Sequence, residues 1–197
     1  MSAWRRLPEN APAARPGPLD PAAIVATHVP PNHGVPNHPS FGALIYPGVL
    51  ADDHDIERVK ALFERHRWFR VWDWTVFDYH HFHPSSHEVL AVVRGRASIR
   101  LGGAGGTTHE VEPGDVLLLP AGFGHCREAA SDDFTVVGAY PEGQEEREVV
   151  RADARAAAAA EAVVRGVPLP ATDPLYGADG PLPRVWGEQR AVARDGA

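Results

Sequence analysis

Asp78-Tyr-His-His-Phe-His-Pro-Ser-Ser-His-Glu-Val-Leu-Ala-Val-Val-Arg-Gly95 is the stretch on which the fold turns. Four of the eleven histidines of the chain, His80, His81, His83 and His87, fall within it. His81 and His83 are two apart, so on an extended strand both side chains leave the same face. After a break at Pro84-Ser85-Ser86, Glu88 opens an apolar run to Val93 that reads as a second strand. Two imidazoles on one strand and a carboxylate on the next suit a divalent metal. A closing ligand is available downstream. Gly114-Asp-Val-Leu-Leu-Leu-Pro-Ala-Gly-Phe-Gly-His125 reads as a turn, a buried strand, a tight Pro/Gly turn and a histidine.

Working outward, the 197 residues are expected to form one domain with extended termini. A hydrophobic content of 44% with 23% charged residues is ordinary for a soluble globular protein. A formal charge of −7 without a Lys/Arg block argues against nucleic acid and anionic membranes as partners. The single cysteine, Cys126, excludes an internal disulfide and suits a reducing compartment. The N-terminus shows no apolar signal core, and no run approaches a membrane span. A cytoplasmic location is therefore expected.

Residues 1–27 are Pro/Ala-rich and are expected to form a disordered or loose, dispensable arm. The near-repeat Pro31-Asn32-His33 and Pro36-Asn37-His38 reads as loop, and Phe41 to Tyr46 as a first strand. Asp52 to Trp68 predicts a helix capped by Asp52 or Asp53, with Ile56, Val59, Leu62 and Phe63 as its packing stripe. Arg70 to Phe82 reads as one strand. Thr75, Phe77, Tyr79 and His81 would share one face, and Trp72, Trp74 and Val76 the other. If His81 points inward, Thr75, Phe77 and Tyr79 line the cavity and the tryptophans pack outside. Gly102-Gly-Ala-Gly-Gly106 lies between alternating segments and predicts a hairpin rather than a phosphate loop. Val116 to Leu119, His125 to Glu128 and Phe134 to Tyr140 complete a series of short strands. Such a series means an all-β sandwich or barrel, here spanning residues 28–145. Within residues 146–197, Ala152 to Arg165 predicts a helix, and the tail from Val167 to Trp186 an irregular Pro-rich strap.

Two patterns are present in order: His81-x-His83, four residues, Glu88, six residues, Gly95; then Gly114-x5-Pro120-x-Gly122-x2-His125. They resemble the two motifs of the cupin superfamily. Further phrases are similar to the bacterial YjlB-like cupins: Phe77-Asp-Tyr-His-His-Phe-His, His87-Glu-Val-Leu, Leu117 to His125, Val136-Val-Gly-Ala-Tyr-Pro141 and Pro168-Leu-Pro-Ala-Thr-Asp-Pro. One departure is Ala129, where the second motif usually carries Asn. The resemblance implies a jelly-roll β-barrel with a few peripheral helices, associating as a homodimer. It also implies one divalent transition metal (Fe, Mn, Ni, Co or Zn) on His81, His83, Glu88 and His125. His87 stands where a shorter-spaced version of the first motif has its acid, so an all-histidine set stays open. Tyr79, Arg127 and His87 are the candidate catalytic groups; Arg127 could clamp a carboxylate. The expected function is a metal-dependent small-molecule enzyme, either an oxygenase or an isomerase/lyase acting on an oxygenated organic acid or sugar. The alternative is a non-catalytic ligand-binding or sensor module.

Overall fold

The computed structural model describes residues 10–145 and 148–195, the side chains of the last three excepted. Eleven strands and three α-helices run in chain order among these residues. The first three strands are β1 (Val25–Thr27), β2 (Ala43–Tyr46) and β3 (Trp68–Trp74), with α1 (Ile56–Arg65) before β3. Then come β4 (His81–Phe82), β5 (Glu88–Arg94), β6 (Ala97–Leu101), β7 (Thr107–Val111), β8 (Val116–Leu119), β9 (His125–Ala130), β10 (Thr135–Pro141) and β11 (Val150–Arg151). The helices α2 (Ala154–Gly166) and α3 (Pro181–Asp195) follow. The strands form two antiparallel sheets, ordered β1-β2-β8-β5-β10-β3 and β11-β4-β9-β6-β7. The architecture is the jelly-roll β-sandwich with peripheral helices that the strand series predicts.

The apolar runs of β5 and β8 follow from the six-stranded sheet being covered on both faces. Leu90, Val92, Leu117 and Leu119 enter the core between the sheets with Ile99, Leu101 and Phe123. Val89, Ala91, Val93, Val116 and Leu118 enter a second core with α1, Phe41, Trp68 and Trp186. Alternate residues of one strand therefore serve different cores. The motif glycines make the turns: Gly95 and Gly114 hold φ of 65° and 103°. A Cβ at Gly95 would meet Ser131 Oγ at 2.4 Å, and one at Gly114 would meet the Ala51 backbone at 2.7 Å.

Five sequence expectations change. The helix begins at Ile56 rather than near Asp52, because Asp55 caps it by accepting from Arg58 N–H. Asp53 is engaged elsewhere, by Arg15 N–H and the Arg58 guanidinium. The expected strand from Arg70 to Phe82 is two strands in different sheets, β3 and β4, joined by an irregular segment over residues 75–80. That break resets the alternation, so Trp72 and Trp74 share the cavity wall with Thr75 and Phe77 instead of packing outside.

The Pro/Ala arm is packed from Asn10 onward. Ala13 and Ala14 are buried in the helix-side core, and Ala14 and Gly17 N–H donate to the Arg58 and Val49 carbonyls. β1 adds to β2 at the sheet edge. Composition shows that a segment cannot build its own core; it does not show whether small side chains will lie against another. Residues 1–9 of the expected arm lie outside the described residues. The end of the Pro-rich strap is the helix α3. Its prolines 181 and 183 sit in the first turn, where the missing N–H would have no intrahelical partner anyway. Trp186 on this helix is fully buried, stacks on Phe41 and donates from Nε1 to the Gly42 carbonyl.

Candidate metal centre

β4 and β9 are neighbours, and His81 stands directly opposite His125 in their register. The chain leaves β4 at Phe82, and the His83 carbonyl accepts from Gly122 N–H, which ties the first motif to the Pro/Gly turn of the second. The His81 and His125 rings are 4.0 Å apart, and the His83 ring is 5.7 Å from each. One potential ligand atom from each of the three lies within 4.8 Å of the others, and all three residues are buried. The resulting cluster can hold a metal ion.

The tautomers are fixed by the backbone. Nδ1 of His81, His83 and His125 lies 3.1, 2.8 and 3.3 Å from the carbonyls of Tyr79, Glu148 and Phe123. A carbonyl only accepts, so Nδ1 carries the proton and the Nε2 lone pair is left for the cluster. Burial, and then His125 and His83, push His81 down to about 2, so that ring stays neutral.

Glu88 closes the group. Its Oε2 lies 3.3 Å from Nε2 of both His83 and His125, is buried, and has no hydrogen-bond partner. Burial raises its pKa; the pull of His83 and His125 that would hold it well below the usual carboxylate range needs positive charge at that spot, which rings neutral at Nε2 do not supply and a bound cation would. Oε1 accepts from the Tyr140 hydroxyl at 2.7 Å, and that hydroxyl accepts from Trp72 Nε1 at 3.0 Å. An ionised oxygen buried against lone-pair nitrogens is costly unless a cation sits among them. The donor set therefore fits a divalent transition metal.

A cavity of about 150 Å³ opens beside this group. Trp72, Trp74, Phe77, Val76, Leu90 and Val149 form its walls, and the three histidines, Glu88 and Tyr140 its polar end. Thr75 completes the lining, which among the described residues includes no Lys or Arg.

The other candidate groups lie elsewhere. The His87 ring is fully buried among Phe41, His38 and Trp186, in the helix-side core. Its Nδ1 accepts from Ala121 N–H at 2.9 Å, and its Nε2 donates to the Pro168 carbonyl at 3.1 Å. His87 shares parity with Val89, and Glu88 with Leu90, so adjacent residues enter opposite cores. Arg127 spends its Nε on the Val76 carbonyl at 2.9 Å and is not among the lining residues. Tyr79 also stands outside the lining; it stacks on Phe77, meets His81 edge-on and carries the Arg151 guanidinium at 4.1 Å over its ring. Sequence reading missed Tyr140 and Trp72 as partners of Glu88. They come from β10 and β3, and only the antiparallel pairing of these two strands, with Gly138 opposite Trp72, brings them together.

The sequence model of the family described as Cupin matches residues 79–162. The chain is 38% identical over 162 residues to the uncharacterized protein YjlB of Bacillus subtilis (strain 168), covering 81% of this chain and 95% of that protein. Among solved structures it is similar to acireductone dioxygenase from Bacillus anthracis with a cadmium ion in the active centre. That match has 22% identity and a TM-score of 0.32, covering 45% of this chain and 60% of the other. It is also similar to YcfD, a ribosomal oxygenase from Escherichia coli, at 21% identity and a TM-score of 0.36, covering 54% and 34%. The chain thus spans less than two thirds of either solved protein. On the identity and coverage shared with YjlB, together with the matched motifs, this chain belongs to the cupin superfamily, in its YjlB-like group.

Proposed function

We propose that the chain is a metal-dependent enzyme acting on a small molecule, with His81, His83, Glu88 and His125 holding one divalent transition metal. The observation that carries this reading is the unpartnered Oε2 of Glu88, buried 3.3 Å from two imidazole nitrogens at the end of a cavity. When bound, the ion supplies a Lewis acid that polarises a substrate oxygen. The protein does the rest. The carbonyls of Tyr79, Glu148 and Phe123 hold the three rings in register. Tyr140 fixes the carboxylate and carries the nearest hydroxyl proton to it. The aromatic walls give the polar end a low-dielectric surround, which strengthens charge interactions there. Tyr79 and Arg127 are assigned supporting roles, on the His81 ring and the Val76 wall, and His87 a packing role. An oxygenase and an isomerase/lyase are both compatible with this arrangement. A homodimer in the cytoplasm is the proposed setting.

The test is elemental analysis of untagged protein, followed by oxygen-uptake and product assays with the native metal restored. About one metal per chain with turnover supports the proposal. One metal without turnover on any small molecule would make the chain a binding module, and no metal at all would refute the site.

A further inference from the structure

We infer that the substrate is a planar, apolar-bodied molecule of about one aromatic ring, bearing oxygen at one edge and at most one negative charge. This rests on the metal-holding reading above and narrows its substrate class, away from dicarboxylic acids and sugars.

Charge is the first argument. Among the described residues, no Lys or Arg lines the cavity. Two described arginines nearby are occupied, Arg127 with the Val76 carbonyl and Arg151 over the Tyr79 ring. A divalent ion beside the Glu88 carboxylate leaves a net charge of about +1, enough for one anionic oxygen. A second carboxylate would be buried without a partner. Hydrogen-bonding capacity is the second. Apart from the groups at the metal end, Thr75 offers the one wall hydroxyl, so most hydroxyls of a sugar would lose water and gain nothing.

The walls are built for a ring. Trp74 meets Phe77 edge-to-face at 5.6 Å, and Phe77 meets His81 the same way at 5.0 Å, so aromatic surface leads from the mouth to the cluster. Trp74 is 59% exposed, whereas Trp68 and Trp186 are fully buried. Val149, also on the wall, is 39% exposed. An indole left in water beside the Phe77 ring is surface that a flat apolar ligand would cover. The cavity, at about 150 Å³, is below the size of pockets for drug-sized ligands and matches a single ring.

The test uses the full chain, metal-free and zinc-loaded, and follows the tryptophan indole N–H signals by NMR during titration with catechol, malonate or glucose. Catechol should shift the Trp72 and Trp74 signals saturably in both forms, and malonate and glucose should not. Trp74→Ala should raise the catechol Kd about tenfold, and Phe77→Leu should act in the same direction, with metal content unchanged in both. Malonate or glucose binding as tightly as catechol would overturn the inference. So would no response to catechol in either form, or a Kd indifferent to both substitutions. A Trp74→Ala chain that loses catechol-independent dimerisation would assign this wall to a second copy and overturn it too. If zinc does not load, the metal reading fails, while the metal-free titration still decides the substrate class.

Discussion

His87→Ala is expected to damage the fold and spare the metal. The ring is fully buried and is the acceptor for Ala121 N–H, whose residue is itself fully buried. Truncation leaves that donor unsatisfied, at about 1–3 kcal/mol. It also opens a void beside Phe41 and Trp186, where large-to-small changes cost about 2–5 kcal/mol. The Pro168 carbonyl is not orphaned, because Gln144 Nε2 also donates to it at 3.0 Å. The sum is about 3–8 kcal/mol, a large share of the roughly 5–15 kcal/mol that holds a domain together. Burial, together with His38, pushes His87 down to about 3 from 6.5. Between those values the unfolded chain binds a proton that the folded chain refuses, so stability rises with pH across this window and is lost as pH falls below about 6.5. From pH 7 to pH 5 the loss from this one group is about 2 kcal/mol. His87→Phe fills the space but cannot titrate, so its stability should fall by about 2 kcal/mol less than the parent's over the same range. Urea unfolding of metal-free protein at the two pH values, followed by circular dichroism, reads both effects. A His87→Ala chain within about 1 kcal/mol of the parent would refute the reasoning. So would one that stays fully folded but loses its metal.

Tyr140→Phe keeps the ring but removes the proton given to Glu88 and the acceptor used by Trp72; metal affinity should fall 10–100-fold in competition with a chromophoric chelator. Gly138→Ala places a Cβ 2.2 Å from Trp72 Cζ2, so the indole must leave Tyr140. Its near-ultraviolet dichroism should change, with a stability loss of about 1–3 kcal/mol in urea unfolding. Deleting residues 2–23 removes buried Ala13 and Ala14 and the hydrogen bonds of Ala14 and Gly17, and takes the Gly17 acceptor from the Tyr176 hydroxyl. Tm should drop by about 5–10 °C; an unchanged Tm would return this segment to the status of a loose arm.

What the sequence reveals about the site depends on how local each constraint is. His81 and His83 are two apart, on and just past the end of β4, and His125 follows a Pro/Gly turn, so their convergence is legible from the two motifs. Strand parity does not separate His87 from Glu88, although the six residues to Gly95 favour Glu88. Val89 to Val93 is apolar on both faces because β5 serves two cores, and a sequence with no polar face offers no parity to read. The tryptophans are misread for a related reason. Period-two alternation does not carry through residues 75–80, where the chain changes sheets. Tyr140 and Trp72 depend on antiparallel pairing between distant segments, and the burial of Trp186 depends on a helix whose prolines argue for irregular structure until they are seen to fall in its first turn.

Glu88, not His87, is proposed to complete a set of three imidazoles around one metal. The most direct test is the saturating metal-to-chain ratio of untagged, metal-stripped protein titrated with Co(II) at about pH 7.5, for the parent and for Glu88→Ala. Three neutral imidazoles leave the ion's charge uncompensated in a buried site, so removing the carboxylate should remove most of the occupancy. The expected outcome is about one Co(II) per parent chain and less than about a tenth of that in Glu88→Ala under the same free metal. A Glu88→Ala chain that still binds one equivalent with the parent's affinity would contradict it.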